Sequence, residues 1–132
     1  FRGLVFFNSL SDLGATEERL QFNGASAVSL ASDINVKFRK VILEKFKNHE
    51  ISLLLGTDLL ARGIDIENLE VVINFDIPRD REAYIHRAGR TGRMGNEGSV
   101  ISLVTHPEDL KKLKKFAKVS ELVLKNQELH EK

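Results

Sequence analysis

Short apolar runs alternate with longer segments of helical period along most of the chain. Five of these runs have the length and composition of β-strands, at residues 3–7, 25–30, 51–55, 71–75 and 99–104. Alternation of this kind is typical of an α/β fold, because parallel strands need a crossover helix between them. We therefore expect one domain, residues 1–132, with a mainly parallel central sheet flanked by helices.

Four helices are predicted between and after these strands: at about residues 11–22, at about residues 35–48, from Pro78 to near Gly89, and from a capping box at residues 105–108. Ser11 is the predicted N-cap of the first helix, and Gly24 lies just past its end. From Lys118 onward, scattered apolar residues among many charges fit either a docked helix or a frayed tail.

The second predicted helix is amphipathic. Its apolar residues share one stripe that faces the core, made of Val36, Ile42, Leu43 and Phe46. Its lysines stay in water, at positions 37, 40, 45 and 47.

The composition is that of one globular domain, with 132 residues, 42% hydrophobic and 30% charged. The formal net charge of +1 excludes a protein that is basic all over, so any contact with a polyanion is local. The absence of cysteine excludes disulfides and thiolate metal sites and favours a reducing, cytoplasmic location.

No membrane segment is predicted, because the uncharged apolar runs are too short to span a bilayer and the start lacks a signal pattern. The chain opens with Phe1, and its only methionine is Met94. We therefore expect a piece of a longer protein.

Candidate chemistry begins in the segment GTDLLARGID, residues 56–65, which follows an apolar strand. The carboxyl ends of strands in open α/β sheets are where ligands bind. Thr57 and the backbone around Gly63 can donate hydrogen bonds to phosphate oxygens, and Asp65 can accept one from a ribose hydroxyl. An alternative is that Thr57 and Asp58 only cap the next turn, with Arg62 and Asp65 paired.

A second segment, YIHRAGRTGRMG at residues 84–95, is strongly cationic. Five arginines stand against two acidic residues between positions 79 and 93. We expect a helix that ends near Gly89 and a tight loop that presents Arg90 and Arg93 to phosphate, which arginine binds bidentately. The alternative is a solvated basic loop, which would not require the interleaved glycines.

A third segment, residues 5–9, ends the first strand with Asn8 and Ser9. These two residues either cap the next helix or contact the same ligand as the other segments. Arg39, on the second predicted helix, is expected to face the same ligand surface.

In this order the segments resemble the second domain of DEAD-box helicases, from about Phe1 to the helix after Glu108. GLVFFNS is similar to motif IV, residues 33–39 to motif IVa, TDLLARGID to motif V, VINFDIP to the segment that follows, and YIHRAGRTGR to motif VI. The last match is the most specific, because related helicase families commonly carry glutamine where His86 stands. The resemblance implies a RecA-like three-layer sandwich.

The resemblance also implies roles for individual residues. Arg90 and Arg93 would be the catalytic arginine fingers that reach the γ-phosphate of ATP. Asp65 would contact the ATP ribose, and His86 would couple the nucleotide site to the facing domain. The RNA backbone would be held by Asn8, Ser9, Arg39, Thr57 and Gly63.

The intact protein would then be an RNA-stimulated ATPase and RNA helicase, monomeric and cytoplasmic, which unwinds short duplexes or remodels RNA–protein complexes. ATP and Mg²⁺ would be bound mainly by a first domain, because no GxxxxGK[ST] loop and no Asp-Glu-Ala-Asp run occurs in this chain. We predict no metal site within these residues and no hydrolysis by this domain alone.

One departure from the family pattern concerns motif IVa. Family members usually carry His-Gly-Asp and then glutamine, whereas Ala31, Ser32 and Asp33 here precede Val36. The missing glutamine predicts a weaker or rearranged RNA contact in this segment.

Two other functions remain open at the level of sequence. A groove that binds the nucleic-acid backbone also fits a helicase or translocase that acts on DNA, although the residues of motif VI favour RNA. A catalytically idle RecA-like adaptor is the second, although it has no need of Asp65, Arg90 and Arg93 together. The lysines of the last predicted helix form either a further RNA or partner patch or, as we favour, a solvated face.

Overall fold

The computed structural model describes residues 2–30, 35–63, 66, 69–91 and 98–119. In chain order its elements are β1 (Gly3–Phe6), α1 (Leu13–Phe22), β2 (Ala27–Ser29), α2 (Val36–Lys47), β3 (Leu53–Gly56), α3 (Asp58–Gly63), β4 (Val71–Asn74), α4 (Arg81–Ala88), β5 (Ser99–Ser102) and α5 (Pro107–Val119). All five predicted strands are present, and the predicted tail beyond residue 119 lies outside the described residues.

The five strands form one parallel sheet in the order β2-β3-β1-β4-β5. The central strand β1 pairs with both neighbours in matched register, so that Val5 lies opposite Leu55 on one side and Ile73 on the other. Because the strands are parallel, their carboxyl ends all meet at one edge of the sheet. The predicted α/β class with a parallel sheet is confirmed.

Successive residues of β1 enter two different cores, as the alternation of side chains along a strand requires. Leu4 and Phe6 pack on the face covered by α2, together with Phe46. Val5 and Phe7 pack on the opposite face, with Leu13 of α1. Both faces of the sheet are covered, and this gives the expected three layers.

Helix α1 begins two residues later than predicted, at Leu13, and its N-cap is Asp12, whose side chain makes no capping hydrogen bond. The assignment of Ser11 as the cap is wrong, because its hydroxyl shares a 2.8 Å hydrogen bond with the hydroxyl of Ser9. Burial of Leu13 in the core decides where the helix starts. The predicted end is confirmed, since Gly24 follows it with a φ of +86°.

Helix α2 matches its predicted bounds. Asn35 caps it by accepting a 2.8 Å hydrogen bond from the Lys37 backbone N–H. The prediction that Val36 joins the buried stripe is wrong, because 79% of its surface is exposed. Only the later turns of the helix pack on the sheet, through Ile42, Leu43 and Phe46.

Most of GTDLLARGID forms the short helix α3, which was not among the four helices predicted from the sequence. Its anchor is Leu60, which is buried against Gly56. A Cβ at position 56 would lie 2.7 Å from the Leu60 Cδ2, so glycine there makes room for the helix. Six residues are too few for helical periodicity to be recognised in a sequence.

Helices α4 and α5 pack against each other and agree with the predicted segments. Asp80 caps α4 through a 2.8 Å hydrogen bond from the Ala83 N–H, and Gly89 is its C-cap. Leu113 and Phe116 of α5 bury Tyr84, and this burial raises the pKa of the Tyr84 phenol. The lysines of α5 whose side chains are described are exposed, at positions 111, 112, 114 and 115. Within the described residues no helix is long and apolar enough to cross a bilayer.

Candidate functional site

An open groove of about 640 Å³ lies at the carboxyl edge of the sheet. Residues 8–10 after β1 and residues 57–59 after β3 form one wall, and six residues between 79 and 90 form the other. These segments are far apart in the chain and meet because β1, β3 and β4 are neighbours in the sheet.

Five of the residues singled out in the sequence line this groove: Asn8, Ser9, Thr57, His86 and Arg90. The fold therefore brings together parts of motifs IV, V and VI on one surface. Arg39, half-buried on α2, does not belong to its lining, and Gly63 is the last residue of α3. Asp65 and Arg93 lie outside the described residues.

The charges of the groove are mixed. Arg79 and Arg90 stand among three carboxylates, those of Asp58, Asp80 and Glu82. Two of these carboxylates already have internal partners, since Asp58 pairs with Arg87 and Asp80 caps α4.

Arg87 is a completely buried charged residue beside the groove, and sequence reasoning missed its role. Its side chain has no exposed surface. The guanidinium donates from Nε and Nη2 to the two carboxylate oxygens of Asp58, at 2.7 and 2.9 Å. This is the bidentate geometry that makes arginine–carboxylate pairs strong and directional.

The remaining donors of Arg87 reach two further segments of the chain. Nη2 donates to Asn8 Oδ1 at 2.8 Å, and Nη1 donates to the Asp76 carbonyl at 2.9 Å and to Asn74 Oδ1 at 3.3 Å. The guanidinium also lies 5.3 Å from the centre of the Phe6 ring. With five hydrogen bonds, the donor capacity of the guanidinium is fully used.

Asn8 ties the end of β1 to the segment after β4. Its backbone N–H donates to Asp76 Oδ2 and its side-chain amide to the Ile77 carbonyl, both at 2.9 Å. Its carbonyl accepts a 2.9 Å hydrogen bond from Arg79. The alternative that the Asn8 side chain caps α1 is wrong, because that side chain binds the Ile77 carbonyl and Arg87 instead. Likewise the Asp58 carboxylate binds Arg87 rather than serving only as a cap.

A sequence signal for Arg87 exists but is weak. On α4 it lies one turn beyond the buried Tyr84, on the inner face of the helix. An arginine on such a face indicates a buried ion pair, but only the fold identifies its partners.

Residues 1–95 match the family model described as the helicase conserved C-terminal domain, which covers well over half of the chain. The DEAD-box branch follows from relatives and structures. The chain is 37% identical over 87 residues to the ATP-dependent RNA helicase DeaD of Escherichia coli K12, which is 66% of this chain and 14% of that protein. This chain belongs to the DEAD-box helicase C-terminal domains.

Solved structures of DEAD-box proteins share the fold. A DEAD-box protein of Methanococcus jannaschii superposes with a TM-score of 0.80 at 35% identity, over 93% of this chain and 34% of that one. Dbp5 of S. cerevisiae, bound to RNA and ADP BeF3, superposes with a TM-score of 0.80 at 30% identity, over 89% of this chain and 32% of that one. The predicted RecA-like architecture is therefore confirmed.

Proposed function

We propose that this domain is the second half of an ATP-dependent RNA helicase, working with a first RecA-like domain that this chain does not contain. The single observation that carries the proposal is the groove, which brings Ser9 and Thr57 to the same edge of the sheet as His86 and Arg90. Open α/β sheets bind their ligands at this edge.

The wall after β1 and β3 binds the RNA backbone. Ser9 and Thr57 carry hydroxyls that donate to phosphate oxygens, and Asn8 holds the wall in place through its internal hydrogen bonds. Gly63 also contacts the RNA backbone, and Arg39, which lies outside the groove lining, extends the path of the RNA strand beyond it. Contacts of this kind carry little base information, and binding is largely independent of sequence.

The wall formed by residues 79–90 serves the nucleotide. Arg90, with Arg93 from the matching motif, acts as an arginine finger that stabilises charge on the transferred phosphoryl group. Asp65 contacts the ribose, and His86 couples this wall to the facing domain. Most of the binding of ATP and Mg²⁺ belongs to the first domain, so the 132-residue chain alone does not hydrolyse ATP.

Closure of the two domains gives the mechanism. With the cleft open, Arg90 remains away from the nucleotide. With the cleft closed, Arg90 and Arg93 approach the phosphates while the opposite wall holds the RNA strand in a geometry that a duplex cannot adopt. The consequence is local unwinding of RNA or remodelling of RNA–protein complexes. We place the protein in the cytoplasm as a monomer.

The proposal is tested by the ATPase rate of the intact protein with no polymer, with single-stranded RNA and with DNA of the same sequence. We expect stimulation by RNA alone, and we expect the Arg93→Ala and Arg90→Ala variants to lose about three orders of magnitude or more in rate. Arg81→Ala is the matched control, because Arg81 is exposed on α4 outside the groove lining.

Two outcomes would contradict the proposal. Equal stimulation by DNA would identify a translocase that does not recognise the 2′-hydroxyl. A rate at background under all conditions would identify an adaptor domain.

A further inference from the structure

Arg87 joins four parts of the fold at one point behind the groove. From α4 it binds Asn8 after β1, Asp58 at the start of α3, and Asn74 and Asp76 at the end of β4. Asn8 and Asp58 line the groove, whereas Arg87 and Asn74 are completely buried. The two groove-lining residues are therefore held from behind by one side chain.

The same arginine is close in the chain to the residues of the opposite wall. The Arg90 N–H donates to the Arg87 carbonyl at 3.2 Å in the turn that ends α4. The Arg90 carbonyl in turn accepts a 3.1 Å hydrogen bond from the Leu69 N–H. A shift of the Arg87 backbone therefore moves Arg90 directly.

We propose that Arg87 is a positioning residue that couples the Asn8–Asp58 wall of the groove to the position of Arg90. This rests on the proposed function, in which that wall binds RNA and Arg90 serves ATP hydrolysis. An RNA strand that binds to this wall displaces Asp58 or Asn8. The guanidinium transmits this movement to α4, because all its N–H donors are already hydrogen-bonded and it cannot shift without breaking one of these bonds. Lysine cannot replace it, since an ammonium group has three donors and no planar fork.

The test uses Arg87→Lys in the intact protein, with Arg81→Lys as the matched control on the same helix. We expect Arg87→Lys to lower the RNA-stimulated kcat on the order of 100-fold, since a displacement of about 1 Å has an effect of that size. The KM for ATP and the Kd for single-stranded RNA should change by less than about threefold, because the groups that bind are still present. Asp58→Asn, which keeps one carbonyl oxygen for Arg87, should give the same pattern in weaker form and serves where Arg87→Lys does not fold.

A kcat within twofold of the wild type would overturn the coupling, and so would a fall in kcat that is matched by an equal loss of RNA affinity. Failure of the proposed function is a different result, since the unsubstituted protein then shows no RNA-stimulated ATPase at all.

A second measurement stands apart from activity. Amide hydrogen exchange on the 132-residue chain reports the backbone N–H of Asn8, which donates to Asp76, and that of Leu69, which donates to Arg90. Arg87→Lys should accelerate both by at least about tenfold and leave the remote amide of Ala25 unchanged, because a shared support loosens both walls together. Acceleration at Asn8 alone would show that the walls are independent, and the proposal would fall.

Discussion

In two regions of this domain, side chains provide hydrogen-bond partners for polar groups at the edge of the sheet. In one region the side chain is completely buried, and in the other water can reach the side chains. At the carboxyl ends of the strands, Arg87 satisfies groups from three neighbouring segments and is completely buried. At the outer edge of β2, two α1 side chains one turn apart perform a similar task through partly buried hydrogen bonds. Gln21 donates to the Ala27 carbonyl at 2.7 Å, and Glu17 accepts from the Ser29 N–H.

The outer edge of β2 needs these partners because of how it pairs. Its bonds to β3 use the carbonyl of Ser26 and the N–H of Leu30, so the groups of Ala27 and Ser29 point away from the sheet. An edge strand with free backbone groups invites pairing with another chain. Glu17 and Gln21 occupy those groups from within the same molecule.

The difference between the two regions is the access of water. If an α1 side chain is removed, water can take its place, so only the net value of one hydrogen bond is lost. If Arg87 is removed, water cannot reach the buried Asn74 side chain to replace the lost hydrogen bond. The Asp58 side chain is 37% exposed, so water hydrates its carboxylate only in part. Burial, more than the number of bonds, decides how much stability each region contributes.

The largest predicted effect is that of Arg87→Met, which removes the buried cation and leaves its acceptors unpaired. We expect a loss of about 3–5 kcal/mol in the free energy of unfolding, near the lower value because Asp58 is partly hydrated. Urea unfolding of the 132-residue chain measures it. Arg81→Met, which removes the same charge from the exposed face of α4, should stay within about 0.5 kcal/mol. Equal losses in the two variants would show that burial does not decide how much each arginine contributes to stability.

Smaller losses are expected at the edge of β2. Gln21→Ala and Glu17→Ala should each lower the free energy of unfolding by about 0.5–1.5 kcal/mol. The double variant should also self-associate at concentrations where the wild type does not, because the strand edge is then open. Size-exclusion chromatography across a concentration series reports this. Glu18→Ala is the control, since Glu18 is exposed beside Glu17 on the same helix. If the Glu18→Ala variant associated to the same extent, Glu17 and Gln21 would not be the residues that protect the edge of β2.

The smallest effects concern the ends of α2 and α1, where the chain turns through a residue in the left-handed region. After α2, the His49 N–H donates to the Phe46 carbonyl and the Glu50 N–H to the Lys45 carbonyl, with His49 at a φ of +64°. After α1 the same pattern has Gly24 in that position. His49→Gly should therefore raise stability by about 0.5–1 kcal/mol, because it removes left-handed strain.

The opposite substitution, Gly24→Ala, tests the same left-handed strain at the end of α1. A Cβ at Gly24 would meet nothing within 4 Å, so Gly24→Ala introduces strain without a clash. We expect it to lower stability by about 0.5–1 kcal/mol. Thermal melts of both variants check the pair, and a change of the same sign in both would contradict it.

Several elements were predictable because their signals are local. The bounds of α2 follow from Asn35 at its start and from the period of its apolar residues. Two features were not predictable in this way. Helix α3 depends on Leu60 packing against Gly56, and Val36 is exposed although it lies on the apolar stripe of α2. The first element is too short for its period to be recognised, and the second feature depends on which turns of α2 contact the sheet.

The sequence by itself determined the α/β class, the five strands, the order of the motifs and the family to which they belong. These properties follow from patterns that repeat every two to four residues or from short contiguous motifs. Only the tertiary structure decided which polar residues act together. Arg87 meets Asp58 across 29 residues and Asn8 across 79, and strand order alone brings those segments to the same edge. Because the stabilising value of a charged group depends on what surrounds it in space, its role could not be inferred from its neighbours in the chain.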